Sequence, residues 1–188
     1  MNVLEEIKKF VEEESKKPEN WWGEEFYTLH ILSVYDYAKQ LAEKLNANIE
    51  IVELAALLHD IGSIIYGREN HHLTGAKIAG EKLKELNYPE DKIEKVKQCI
   101  FTHRGSEKIE PVTTEAKIIR DADALSGFKH VTGPFMAAMR YEKKNQAQAK
   151  ESIIRKFENS WNKLCFQESK DIIKPRYEAI MFLLREEK

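Results

Sequence analysis

Apolar residues recur at steps of three and four along most of the chain, and no stretch alternates with period two for more than a few residues. That pattern predicts an all-α protein. Val3, Leu4, Ile7, Phe10 and Val11 mark a helix over 2–16, which the stretch from Ser15 to Asn20, with Pro18, ends. A second helix is expected from about Glu24 to Leu45, with His30, Val34, Ala38, Leu41 and Leu45 on one face. After the turn Asn46-Ala47-Asn48 comes a helix over 50–61, then a loop from Ser63 to Asn70. Further helices are expected over about 71–86 and 90–103, the second carrying Ile93, Val96, Ile100 and His103 on one stripe. Arg104-Gly105-Ser106 should break the chain, and Pro111-Val112-Thr113 should start the next helix, with Glu115 in its first turn. Beyond it, Thr132-Gly133-Pro134 caps a helix with Phe135, Met136 and Met139 inward. Ile153, Phe157 and Trp161 mark another helix, and Tyr177, Met181 and Leu184 the last, with Pro175 at its start or in a kink.

The helix over 50–61 differs from the others. Glu53 to Ile61 is Leu, Ala or Ile almost throughout, with no solvent stripe, which is the signature of a buried helix. Yet it ends in His59-Asp60. Burying an imidazole and a carboxylate costs free energy unless something pairs them, and a histidine with an aspartate is a ligand set for a divalent cation. Gly62 reads as the residue that closes this helix, which would leave the pair at a negative helix C-terminus that favours positive charge.

Composition changes this picture little. With 188 residues, 42% hydrophobic and 33% charged, the chain fits one globular domain. A net charge of −2 argues against a dedicated binder of nucleic-acid polymers. Cys99 and Cys165 are far apart and form no CxxC, so both are expected to be reduced core residues of a cytoplasmic protein. No signal peptide and no run long enough to cross a bilayer is evident.

A single histidine on an apolar stripe is more often a hydrogen-bonded core residue than a ligand. The set weighs more: His30, His59, Asp60, His71 or His72, His103, and Asp123 or Asp121. Asp121 and Asp123 sit about 200° apart around a helix, so both cannot enter one cluster, and the pattern alone does not choose. His130, the remaining histidine, ends that helix and reads as a partner of its dipole.

Leu29-His30-Ile31, Ala55-Ala56-Leu57-Leu58-His59-Asp60-Ile61-Gly62 and Asp121-Ala122-Asp123-Ala124-Leu125, in that order, resemble the HD-domain superfamily of metal-dependent phosphohydrolases. The resemblance covers about residues 22–130. It implies a helical bundle with additional C-terminal helices: an N-terminal helix over 1–20 packing on the domain, a metal-binding core over 21–130, and helices over 131–188 completing the same domain. It implies that His30, His59, Asp60 and Asp123 bind one divalent metal (Mn, Ni, Co, Fe or Mg). Asp121 is then a supporting or surface carboxylate. His71 and His103 match added histidines that hold a second metal or contact the substrate phosphate, and His72 reads as an exposed loop histidine.

The implied activity is hydrolysis of a phosphomonoester or phosphoanhydride, of a nucleotide or related small molecule, by a metal-activated water. Asp60, His71 and His103 would be its catalytic residues, with Arg104 a weaker phosphate clamp and Arg68 and Lys129 weaker still. Two other readings stay open: a catalytically silent metal-binding regulatory module, and a di-iron oxygenase on the same scaffold. The expected partner is a small-molecule phosphate, with no membrane and no nucleic-acid polymer, and a homodimer is left open. No chemistry is expected in residues 135–188.

Overall fold

The computed structural model describes residues 2–20, 22–104 and 109–185. All of its regular elements are helical: α1 (Val3–Ser15), α2 (Leu32–Lys44), α3 (Ile49–Leu58), α4 (Ile61–Tyr66), α5 (His71–Glu85), α6 (Glu90–Thr102), α7 (Thr114–Lys129), α8 (Thr132–Met136), α9 (Gln146–Lys163) and α10 (Gln167–Leu184). No described helix is long and apolar enough to cross a membrane.

Local chemistry explains the starts. The side chains of Asn2, Asn48 and Thr113 accept the N–H groups of Leu4, Ile51 and Ala116, which the first turns of α1, α3 and α7 would otherwise leave bare. Asn145 and Gln148 form a reciprocal capping box at α9.

The centre of the fold is α3. Val52, Leu54, Ala55, Ala56, Leu57 and Leu58 are all essentially inaccessible to solvent, and each large side chain contributes about 1.5–3 kcal/mol on burial. Around it α1, α2, α6 and α7 form the larger apolar core, and α8 to α10 build a smaller one on Leu125 and Phe128. The α7 helix belongs to both: Ala116, Ile118, Ile119 and Ala122 face the first, and Leu125 and Phe128 the second.

Several local expectations are corrected. The helix expected from Glu24 to Leu45 begins instead with a π-helical turn, Tyr27–Ile31, before α2. The stretch from Ser63 is not all loop, because α4 runs to Tyr66. Gly62 therefore lies inside α4 and does not close α3. A Cβ there would sit about 2.5 Å from Gly75 N and Thr74 Oγ1, and closer still to His71 O, so close approach of α4 to α5 is what requires the glycine. Cys165 is exposed, whereas Cys99 is buried, and neither is in a disulfide. Met139 is exposed and not inward, because Ala137–Tyr141 forms a second π-helical turn that shifts the stripe. Pro175 is inside α10, past its first turns. Of the break expected at Arg104-Gly105-Ser106, Gly105 and Ser106 lie outside the described residues.

Candidate metal centre

His59 and Asp60 occupy the joint between two helices. His59 ends α3, and Asp60, with φ −108° and ψ 13°, starts α4. Those angles belong to the sparsely populated bridge region, where active-site residues are often found. The joint aims the Asp60 carboxylate into a cluster of imidazoles. Its Oδ2 lies 3.3 Å from His30 Nε2 and 3.6 Å from His59 Nε2. Its Oδ1 lies 3.3 Å from His71 Nε2 and 3.7 Å from His103 Nε2. Ligand atoms of His30, His59 and Asp60 all fall within 4.8 Å of one another, and so do those of Asp60, His71 and His103. Asp123 Oδ1 stands 3.5 Å from His30 Nε2 at the more open side.

The second nitrogen of each ring sets what the cluster can do. Nδ1–H of His59 donates to Ala56 O at 2.8 Å, that of His71 to Arg68 O at 2.8 Å, and that of His103 to Ile100 O at 2.6 Å. A carbonyl oxygen only accepts, so in the neutral form of each ring the proton is on Nδ1 and Nε2 presents a lone pair to the centre. That is the tautomer a metal ligand needs, oriented as metal-bound histidines are. His71 Nε2 and His103 Nε2 are 3.2 Å apart, and His30 Nε2 and His59 Nε2 3.1 Å. Where both rings of a pair hold the proton on Nδ1, as His71 and His103 do in their neutral form, two lone pairs at such a distance repel unless positive charge lies between them, so these residues fit a divalent cation.

The electrostatics agree. Burial pushes the His59 imidazole down to about 4, so it stays neutral. For His103 burial acts in the same direction, but the hydrogen bond and charge of Asp60 outweigh it and lift the imidazole above its ordinary value. The Asp60 carboxyl is held well below its usual range: burial opposes this, and His59, His103, His30 and His71 outweigh it. A carboxylate kept ionised among buried imidazoles attracts cations.

The structure also places the remaining candidates. His71 follows Asn70, whose left-handed φ of 51° turns the chain into α5. His72 is buried and not an exposed loop residue. Its ring lies against His71 and Phe101, outside both ligand groups. Asp121 is neither on the surface nor at the metal cluster: it is buried and accepts the N–H of Cys165 at 2.8 Å and of Phe166 at 3.1 Å. His130 caps the end of α7, where burial and the Lys129 charge hold its imidazole below the ordinary value. Arg104 is half-buried at the end of α6.

Three supporting residues escape the sequence reading. Ser126 Oγ lies 3.1 Å from His30 Nδ1, and the only signal for it is its place one turn after Asp123. Phe26 stacks on the His30 ring at 4.7 Å. Arg120 is buried and donates to Thr102 O at 3.1 Å, to Ile109 O and to Glu110 Oε2 at 2.9 Å. It thereby ties together both ends of the stretch that follows His103, and nothing in the apolar pattern marks it.

In comparisons with known proteins, the chain is similar over its whole length to the selenomethionine form of YpgQ from Bacillus subtilis. The TM-score is 0.77 at 23% identity, covering 97% of this chain and 93% of that one. An HD-superfamily hydrolase from Bacillus thuringiensis matches with a TM-score of 0.71 at 19% identity, covering 96% of this chain and 92% of that one. At these identities the likeness concerns the fold. In sequence, a ribonuclease Y from Petrotoga mobilis is 32% identical over 102 residues, which is 52% of this chain but 17% of that relative. The chain therefore matches a small part of the relative's length. The HD-domain family model matches residues 27–127, a span that holds His30, His59, Asp60, His71, His103 and Asp123. More than half of the chain lies in that match, and the chain belongs to the HD-domain family.

Proposed function

We propose that the protein is a metal-dependent phosphohydrolase that cleaves a phosphomonoester or phosphoanhydride of a nucleotide or a related small molecule. The observation that carries this reading is the Asp60 carboxylate, with one oxygen toward His30 and His59 and the other toward His71 and His103. His30, His59, Asp60 and Asp123 would hold one divalent ion, and Asp60, His71 and His103 would hold a second. Bound ions of this kind lower the pKa of water toward 7 and polarise a phosphoryl oxygen.

The residues of the chain do the rest. Asp60 orients the attacking water and takes its proton's hydrogen bond. Ala56 O, Arg68 O and Ile100 O keep three imidazoles in the ligating tautomer. Arg104, next to His103 in the chain, would bind phosphate oxygens at the same end. Mixed His and Asp donors with no thiolate suit Mn, Fe, Co, Ni or Mg. A solved complex of YpgQ contains ADP, which supports a nucleotide as the first substrate to try.

The resemblance to ribonuclease Y favours one second reading, hydrolysis of RNA phosphodiesters. The net charge of −2 speaks against it, since a polymer-binding face is ordinarily basic.

The test is release of phosphate or pyrophosphate from a panel of nucleotides, sugar phosphates and a short RNA, with each metal in turn. Turnover that needs metal and disappears in Asp60→Asn supports the reading. Cleavage of the RNA alone would move it to the second reading. No turnover on any member with any metal would sink both.

A further inference from the structure

We propose that Trp22 and Tyr141 form a stacking platform for the planar base of a nucleotide whose phosphates lie at the metal centre. The inference rests on the phosphohydrolase reading and gives its substrate a second handle, apart from phosphate.

A column of rings leads away from the ligand cluster. Phe26 stacks on the His30 imidazole with centroids 4.7 Å apart, and Trp22 stacks on Phe26 at 5.2 Å. Tyr141, from the π-helical turn Ala137–Tyr141, continues it. Its ring lies 6.4 Å from that of Trp22, and the two planes are parallel within 4°. Each ring is tied to elements that carry metal ligands. Trp22 Nε1–H donates to Ser63 Oγ at 2.9 Å, and Ser63 is in α4, which Asp60 starts. The Arg68 guanidinium lies over the Tyr141 ring at 5.9 Å, and the Arg68 carbonyl accepts the Nδ1–H of His71 at 2.8 Å. The pair is thus placed from two sides of the metal centre, through His30 and through His71.

Core packing does not account for these two rings. Phe26 packs against the larger apolar core, but neither Trp22 nor Tyr141 is part of that core or of the smaller one. Tyr141 is 41% exposed, and it stands in Arg140-Tyr141-Glu142-Lys143-Lys144, where every other residue is charged. Aromatic surface left in water costs free energy that a ligand ring would recover. The spacing of Trp22 and Tyr141 is wider than those within the rest of the column, while their planes stay parallel. Ring surface therefore remains that neither uses on the other. A nucleobase suits such surface, because its flat π-face stacks on indole and phenol whatever its hydrogen-bonding edge. The platform begins two rings beyond His30, so the ribose would span the separation between the base and a phosphate at Asp60. A phosphate ester without a base would reach the metals and leave the platform unused.

The test is calorimetric titration of the Mn-loaded full chain with the non-hydrolysable α,β-methylene analogue of ADP, and with inorganic phosphate as the ligand that lacks a base. Tyr141→Ala should weaken binding of the analogue about tenfold, the loss expected for one stacked base. It should leave the affinity for phosphate and the Mn content unchanged, and Tyr141→Phe should keep wild-type affinity for the analogue. The analogue, but not phosphate, should quench tryptophan fluorescence, and Trp22→Phe should remove that response while retaining most of the affinity. Wild-type affinity for the analogue in Tyr141→Ala, a quench that persists in Trp22→Phe, or no binding of the analogue by the wild type overturns the proposal. An equal loss for the analogue and for phosphate in Tyr141→Ala also overturns it, because the tyrosine would then only support the metal end. A protein that binds the analogue through Tyr141 but hydrolyses nothing would sink the hydrolase reading alone. Nucleotide hydrolysis with kcat/KM unchanged in Tyr141→Ala would sink this proposal alone.

Discussion

Asp121 and Asp123 stand two residues apart on α7 and serve opposite sides of it. Asp123 Oδ1 is 3.5 Å from the His30 imidazole, while the Asp121 carboxylate accepts the backbone N–H groups of Cys165 and Phe166. One turn of helix thus fastens the α9–α10 connection on one face and offers a metal ligand on the other. Phe166 supplies no side-chain cap to α10, and Asp121 holds the two residues that lead into it.

The two aspartates should therefore fail differently. Asp121→Ala leaves two partly buried N–H groups without an acceptor and should lower stability by about 2–4 kcal/mol. Asp123→Asn should leave the metal-free protein nearly as stable but weaken metal binding. Urea denaturation beside metal analysis of both variants separates the two effects, and a metal loss confined to Asp121→Ala would reverse the assignment.

Asp60→Asn should abolish binding of more than one metal, since an amide cannot present two anionic oxygens to two triads. Elemental analysis after reconstitution is the check. Full retention of metal in this variant would show that Asp60 is not the shared ligand.

Gly62→Ala should cost about 2 kcal/mol or more, because the added Cβ meets backbone atoms of α5 that cannot swing aside. Since those atoms include His71 O, the variant should also disturb His71. A melting temperature equal to that of the wild type would contradict the close approach.

Chelator should lower the melting temperature, because metal that binds the folded chain stabilises it by mass action. In the chelated protein, His59 makes stability fall with acid. Its folded value is about 4 against an ordinary 6.5, so the unfolded chain takes up the proton first. The contribution is full above pH 6.5 and is lost as pH falls toward 4. Its size is about 3 kcal/mol at most. The stability difference between wild type and His59→Gln should shrink across that window, whereas a pH-independent difference would show that His59 does not titrate this way.

Much of the fold was legible because burial writes a period into the chain. The stripes on α1, α5, α6 and α7 follow from it, and the continuous apolar run of α3 marked the centre of the core. The ordered histidines and the His59-Asp60 pair were visible because ionisable residues on inward faces are rare. What stayed hidden has no periodic trace. The reach of Asp121 to Cys165 and Phe166 spans more than forty residues of sequence. The burial of His72 depends on where Phe101 falls. Arg120 is an ordinary basic residue until the fold shows what its long side chain approaches.

The π-helical turn that carries His30 holds one residue more than an α-helical turn would. Each residue rotates a helix by about 100°, so register here depends on chain length as well as on residue identity. Deleting a single residue between Phe26 and Leu32 would let the helix run regularly, keep every downstream stripe in place, and swing His30 away from Asp60. The ligand could thus be lost with the histidine still encoded, by an indel that no substitution scan would visit.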